Sequence, residues 1–140
     1  MSNTTSNTGA APKVELGTVN VFTGGNLQAL FDEYIVVVYF TATWCGPCRM
    51  ISPVVDSLAK EYPDICFVKV DVDKHSELSS EFGVRAMPTF KFVKKAEGGT
   101  PEIETEMGAS PPNLKKGVET LAQSSQELIA QKKAKREASA

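Results

Sequence analysis

The order of segments along this 140-residue chain predicts an α/β protein, with helices on both faces of a central sheet in a three-layer α/β/α arrangement. Three observations predict it. Runs of β-branched and aromatic residues alternate with apolar stripes at helical spacing. One run, Ile35-Val36-Val37-Val38-Tyr39-Phe40, is apolar on both faces, as a strand covered on two sides must be. The length and the 41% hydrophobic content suit one domain with a single core.

Each element has its own signal. Met1 to about Gly17 has almost nothing to bury and is expected to be disordered. Val19 to Phe22 reads as a short edge strand. Thr23-Gly24-Gly25-Asn26 is a break, with Thr23 or Asn26 as N-cap. Leu27, Leu30, Phe31 and Tyr34 follow at helical spacing, and the central strand begins at once with Ile35. Met50, Ile51, Val54, Val55 and Leu58 form the stripe of a longer helix, which Pro53 should kink. Ile65 to Val72 reads as a second buried strand. Leu78 to Phe82 is a short helix closed by Gly83. Thr89 to Val93 is a strand, Lys94 to Pro101 a long polar hairpin loop, and Glu102 to Met107 an edge strand with one wet face. Pro111 and Pro112 precede a last helix from about Asn113, with Leu114, Val118, Leu121 and Leu128 on one stripe that Ser125 interrupts.

Bulk properties narrow the function classes. A net charge of −2 gives no general reason to expect nucleic acid or an anionic membrane as partner. The longest apolar run is far too short to cross a bilayer. Met1 to Pro12 lacks the basic and apolar regions of a secretory signal. Three cysteines, an odd count with one tight pair, do not make a secreted disulfide framework. A reducing compartment, the cytoplasm, is the expected location.

The chemistry concentrates in Trp44-Cys45-Gly46-Pro47-Cys48, between the central strand and a helix. Two cysteines two residues apart can close into a small disulfide and reopen, and Cys-x-x-Cys beside a βαβ pattern is a redox signature. A structural disulfide or half a zinc site are the other readings. Zinc would need four ligands, and beyond the pair the chain offers only Cys66 and His75.

The motif and its surroundings resemble the thioredoxin family. Val36 to Trp44 is similar to the strand and turn before the family's active site, and Cys45-Gly46-Pro47-Cys48-Arg49-Met50-Ile51 to the site and its helix. Phe67 to Asp73 resembles the next strand, Gly83-Val84-Arg85-Ala86-Met87-Pro88-Thr89-Phe90 the loop with the family's cis-proline, and Gly108-Ala109 the glycine turn on the substrate face. The likeness spans roughly Val19 to Ala122, with a domain at 18–123 between the N-terminal extension 1–17 and a basic C-terminal extension 124–140. It implies the thioredoxin fold, a central mixed β-sheet of about five strands flanked by about four helices.

The resemblance implies a protein-disulfide reductase cycling between a Cys45–Cys48 dithiol and disulfide. Cys45 attacks, because a thiolate is favoured at a helix N-terminus; Cys48, one turn further in, resolves the mixed disulfide. Gly46 and Pro47 set the turn and tune how reducing the pair is; proline there costs no hydrogen bond. Trp44 would shield Cys45 and join the docking surface, with a plain core tryptophan as the alternative. Pro88, as a cis-proline, would present the Met87 backbone to a substrate chain, with Thr89 and Gly108 on the same face. No bound cofactor or metal is implied; electrons would come from NADPH through a thioredoxin reductase. Partners would be that reductase and disulfide-bearing proteins such as peroxiredoxins, with the chain acting as a monomer. A reductase restricted to few partners, or a binding or chaperone module with incidental redox activity, are the rival functions.

Tyr39 departs from the family, which usually has a buried aspartate there to take the proton of the resolving cysteine. A tyrosine cannot do so near neutral pH, since its ordinary pKa is about 10. Tyr39 is therefore expected to weaken the resolving step while leaving attack intact, with water or another acid serving equally well as the alternative. Lys69 matches the lysine that pairs with that aspartate. It must find the Tyr39 oxygen, a carbonyl or another carboxylate, lose its proton, or reach solvent. Cys66 reads as plain packing in a buried strand, Asp71 and Asp73 as capping or solvated groups, and His75 as a surface residue. Gln131 to Arg136 concentrates four positive charges. It reads as a solvated helix end, with a partner-binding or nuclear-import segment as the alternative.

Overall fold

The computed structural model describes residues 9–94 and 100–126, together with Ala130, Ala134 and Glu137. Five strands form one mixed sheet in the order β1-β3-β2-β4-β5: β1 (Val19–Val21), β2 (Ile35–Thr41), β3 (Ile65–Asp71), β4 (Thr89–Lys94) and β5 (Glu102–Met107). β1 and β2 both pair with β3 in parallel, while β4 runs antiparallel to β2 and to β5. β2 is buried along its whole length, as its two-sided apolar run requires.

The sheet divides the core in two. On one face, Val37, Tyr39, Phe67, Phe90 and Phe92 meet helices α1 (Gly46–Glu61) and α3 (Pro111–Ser124). On the other, Val36, Val38, Phe40, Cys66, Val68 and Val93 pack with Leu27, Leu30, Phe31 and with Leu78 of helix α2 (Ser76–Glu81). Alternate residues of β2 thus serve opposite layers. Gly117 of α3 lies flat on Phe92; a Cβ there would stand 2.5 Å from the ring, so the helix can approach the sheet only without a side chain.

Several expectations change. Leu27–Asp32 is a six-residue 3-10 helix rather than an α-helix. Glu33 N–H already bonds Leu30 O, and β2 starts at Ile35, so the tighter winding fits a connection with no loop to spare. Asn26 holds the N-cap position without capping through its side chain. Pro53 lies inside α1, where its place in the stripe put it. Met50, placed on the buried stripe from sequence, is 80% exposed; the buried line is Cys48, Ile51, Val55, Leu58 and Ala59. Pro111 and Pro112 lie in the first turn of α3, behind a Ser110 cap. β5 has no buried face: Ile103 and Met107 are exposed, and Glu106 is its one half-buried residue.

The segment before β1 also differs from expectation. Ala11, Val14 and Leu16 pack against the second core layer. Asn20 clasps this arm, accepting Glu15 N–H at 2.8 Å and donating to Glu15 O at 3.0 Å and to Phe67 O at 3.0 Å. The packed part of the chain therefore starts ahead of residue 18. Residues 1–8, the hairpin loop at 95–99 and most of the basic C-terminal segment lie outside the described residues.

Candidate active site

α1 begins where β2 ends. Cys45 is its N-cap, and Gly46 and Pro47 form the first turn, where the missing proline N–H has no partner to lose. Cys45 and Cys48 are joined as a disulfide with Cα atoms 5.3 Å apart. The Cys48 N–H donates to Cys45 Sγ at 3.1 Å. That donor and the helix terminus both favour negative charge on this sulfur once the disulfide opens.

The cis-proline loop closes on the pair from the other side. The Met87–Pro88 peptide bond is cis, and Met87 O lies 3.7 Å from Cys45 Sγ. Thr89 is buried and donates its hydroxyl to Ala86 O at 2.6 Å, which fixes the loop. Gly108 has φ +101° and donates its N–H to Pro88 O at 2.9 Å, tying the end of β5 beneath the same loop. Trp44 is 62% exposed, so it is no core tryptophan. Its indole N–H donates to Asp73 Oδ2 at 2.8 Å, which holds the ring beside the motif.

Tyr39 is 2% exposed and stacks on Phe90 with ring centroids 5.0 Å apart. Its hydroxyl donates to Cys48 O at 2.9 Å. Burial pushes this hydroxyl above its ordinary value of 10.0; hydrogen bonds with Thr41 and Ser52 oppose the rise, and the Asp56 carboxylate adds to it. Tyr39 is thus a fixed donor to the helix backbone and not a base. Lys69, its register partner on β3, is half-buried and lines a cleft of about 760 Å³ beneath the pair. The cleft opens to solvent between α1 and the ends of β1 and β3, which gives the ammonium a way to water.

The other candidates separate from the site. Cys66 is fully buried in the opposite core layer. Asp71 caps the turn after β3, its Oδ1 accepting Asp73 N–H at 2.9 Å and Lys74 N–H at 3.3 Å. His75 is half-buried rather than superficial: its Nε2 lies 3.2 Å from Phe22 O and its ring meets Phe22 edge to face. Among the described residues no three His, Cys, Asp or Glu side chains converge as a metal site would require. Sequence reasoning missed Asp73 as the anchor of Trp44, because that contact spans 29 positions. It also missed Ser52 and Asp56, although their positions four and eight residues after Cys48 place all three along one helix stripe.

Residues 18–120 match the Thioredoxin family model. A thioredoxin H-type of Picea mariana is 43% identical over 95 residues, covering 68% of this chain and 73% of that protein. Thioredoxin NaTrxh from Nicotiana alata superposes with a TM-score of 0.65 at 37% identity, covering 80% of this chain and 97% of its own. A chain from a structure of the thiol resolving mechanism in yeast mitochondrial 1-Cys peroxiredoxin via glutathione/thioredoxin systems gives 0.63 at 34%, covering 76% and 98%. With its Cys pair at a helix start, its cis-proline loop and this match over most of its length, the chain belongs to the thioredoxin family, the thiol-disulfide oxidoreductases that reduce protein disulfides.

Proposed function

We propose that the two cysteines divide the reaction, Cys45 attacking and Cys48 resolving. The observation that carries this reading is the asymmetry around Cys45. Its sulfur receives an N–H from the first turn of α1 and lies 3.7 Å from the Met87 carbonyl of the cis-proline loop, while the Cys48 carbonyl is held by Tyr39. A thiolate at Cys45 attacks one sulfur of a substrate disulfide and displaces the other as a thiolate. The substrate chain pairs with the backbone at Met87 and rests against Trp44, Pro88, Thr89 and Gly108. Cys48, deprotonated, then attacks Cys45 Sγ. The Cys45–Cys48 bond forms, the bond to the substrate breaks, and the substrate leaves reduced by two electrons. Gly46 and Pro47 set how reducing the pair is, and Tyr39 and Lys69 set how readily Cys48 gives up its proton.

The oxidised pair would be recharged by a thioredoxin reductase drawing on NADPH, with no cofactor bound to this chain. Disulfide-bearing proteins, peroxiredoxins among them, are the substrates we assign to it, in the cytoplasm. Among the described residues no helix is long and apolar enough to cross a membrane. Insulin reduction coupled to reductase and NADPH tests the reading. Turnover that needs both cysteines supports it; turnover that survives Cys45→Ser refutes it.

A further inference from the structure

Resolution requires Cys48 to lose a proton, because the thiolate and not the thiol is the nucleophile. Yet Cys48 is 2% exposed, and the Tyr39 hydroxyl is committed as a donor to the Cys48 carbonyl. A way out exists on one side. The cleft of about 760 Å³ reaches Cys48 from solvent and is large enough for many waters. Two carboxylates line it, Asp56 and Asp71. Asp71 is taken up by the turn after β3, where its Oδ1 accepts two backbone N–H groups.

Asp56 differs. It lies on α1, eight residues after Cys48 with Ser52 midway, and all three side chains line the cleft. Helical side chains lean toward the N-terminus of their helix, so Asp56 leans toward Ser52 and Ser52 toward Cys48. Two turns of helix, about 12 Å between Cα atoms, exclude a direct contact with the sulfur. The path must run through water and the Ser52 hydroxyl.

We infer that Asp56 draws the Cys48 proton out through this cleft during resolution, so that the carboxylate serving the buried thiol stands on helix α1. The inference rests on Cys48 being the resolving cysteine. Asp56 is a positioning residue for the proton and does not touch the reacting sulfurs. In the step, the Cys48 proton passes along the cleft toward Asp56. The thiolate attacks Cys45 Sγ, the Cys45–Cys48 bond forms, and the substrate thiolate departs and takes a proton from solvent. The other charged or titratable groups facing the cleft are Tyr39 on β2, Arg49 on α1, Lys69 and Asp71 on β3, and Lys74 and His75 before α2.

Acid-quenched mass spectrometry tests this, with reduced protein mixed with a peptide disulfide and the mixed disulfide followed in time. Asp56→Asn is expected to slow decay of the mixed disulfide about tenfold at pH 6.5. At pH 9 hydroxide entering the cleft can take the proton without Asp56, and the deficit should shrink to less than about twofold. Formation of the mixed disulfide should be unchanged. Decay at the wild-type rate at pH 6.5, or an equal slowing at both pH values, would overturn the inference. Cys48→Ser separates it from the reading beneath: a mixed disulfide that still resolves in that variant refutes the role of Cys48 itself.

Discussion

Cys45 and Cys48 are one helical turn apart, yet their surroundings differ in kind. Cys45 has a backbone donor on its sulfur, the Met87 carbonyl of the cis-proline loop 3.7 Å from it, and the exposed Trp44 ring next in the chain. Cys48 has a buried aromatic pair, Tyr39 on Phe90, under its carbonyl and a charged cleft as its outlet. One cysteine is placed to meet a partner and to carry charge. The other is placed to wait for the first to be occupied, and its step depends on moving a proton. Both residues are buried, at 4% and 2% exposed, so the motif splits by what surrounds each sulfur and not by depth.

Removing either thiol breaks the comparison most strongly. Cys45→Ser should abolish insulin reduction, a loss of about a thousandfold or more, because no other cysteine reaches the docking edge. Next comes the interior side. Tyr39→Asp sets a carboxylate directly beneath the pair, and single-turnover reduction of a peptide disulfide should speed several-fold near pH 7, with a larger gain when Asp56→Asn is also present. The same change removes a buried ring stacked on Phe90, and urea unfolding should register a loss of about 3–5 kcal/mol. An unchanged rate and pH profile would remove Tyr39 from the account of the proton.

Gly117→Ala tests the packing under that aromatic layer. Its Cβ would meet the Phe92 ring at 2.5 Å, and overpacking of this kind costs about 1–3 kcal/mol, readable by urea unfolding with the redox rate little changed. Tyr39→Phe is milder. Losing the hydroxyl that donates to Cys48 O should cost about 0.5–1.5 kcal/mol at neutral pH. It also has a pH signature. The Tyr39 value is raised in the folded protein, so its contribution is fully present below the unfolded value of about 10 and is lost as pH rises through the folded value. Tyr39→Phe should therefore flatten the fall of stability above pH 10 and leave the acid side alone.

The sequence made some of this legible for physical reasons. β2 was readable because a strand covered on both sides must be apolar throughout, β3 because Ile65 to Val68 form an unbroken buried run, and α1 because Ile51, Val55 and Leu58 repeat at helical spacing. The redox pair was readable because its chemistry is local: two thiols, a turn and a helix start within four residues. What escaped depends on contacts between distant parts of the chain. Met50 fits the apolar stripe by spacing, but among the described residues no element covers that side of the helix. The arm at residues 10–17 has only Val14 and Leu16 as large apolar side chains, and its placement comes from their packing on the second core layer together with Asn20, whose side chain clasps it to Phe67 on β3. Tyr39 could be read as a departure, but its bond to Cys48 O could not, since only the fold brings the ring under that carbonyl.

The division of labour between the two cysteines is tested most directly by trapping. Reduced Cys48→Ser protein mixed with a peptide disulfide should hold the peptide on Cys45 as a stable mixed disulfide, identified by mass spectrometry of the digested adduct. The matching Cys45→Ser protein should form almost none. Peptide attached to Cys48 instead, or equal adducts on both variants, would contradict the account.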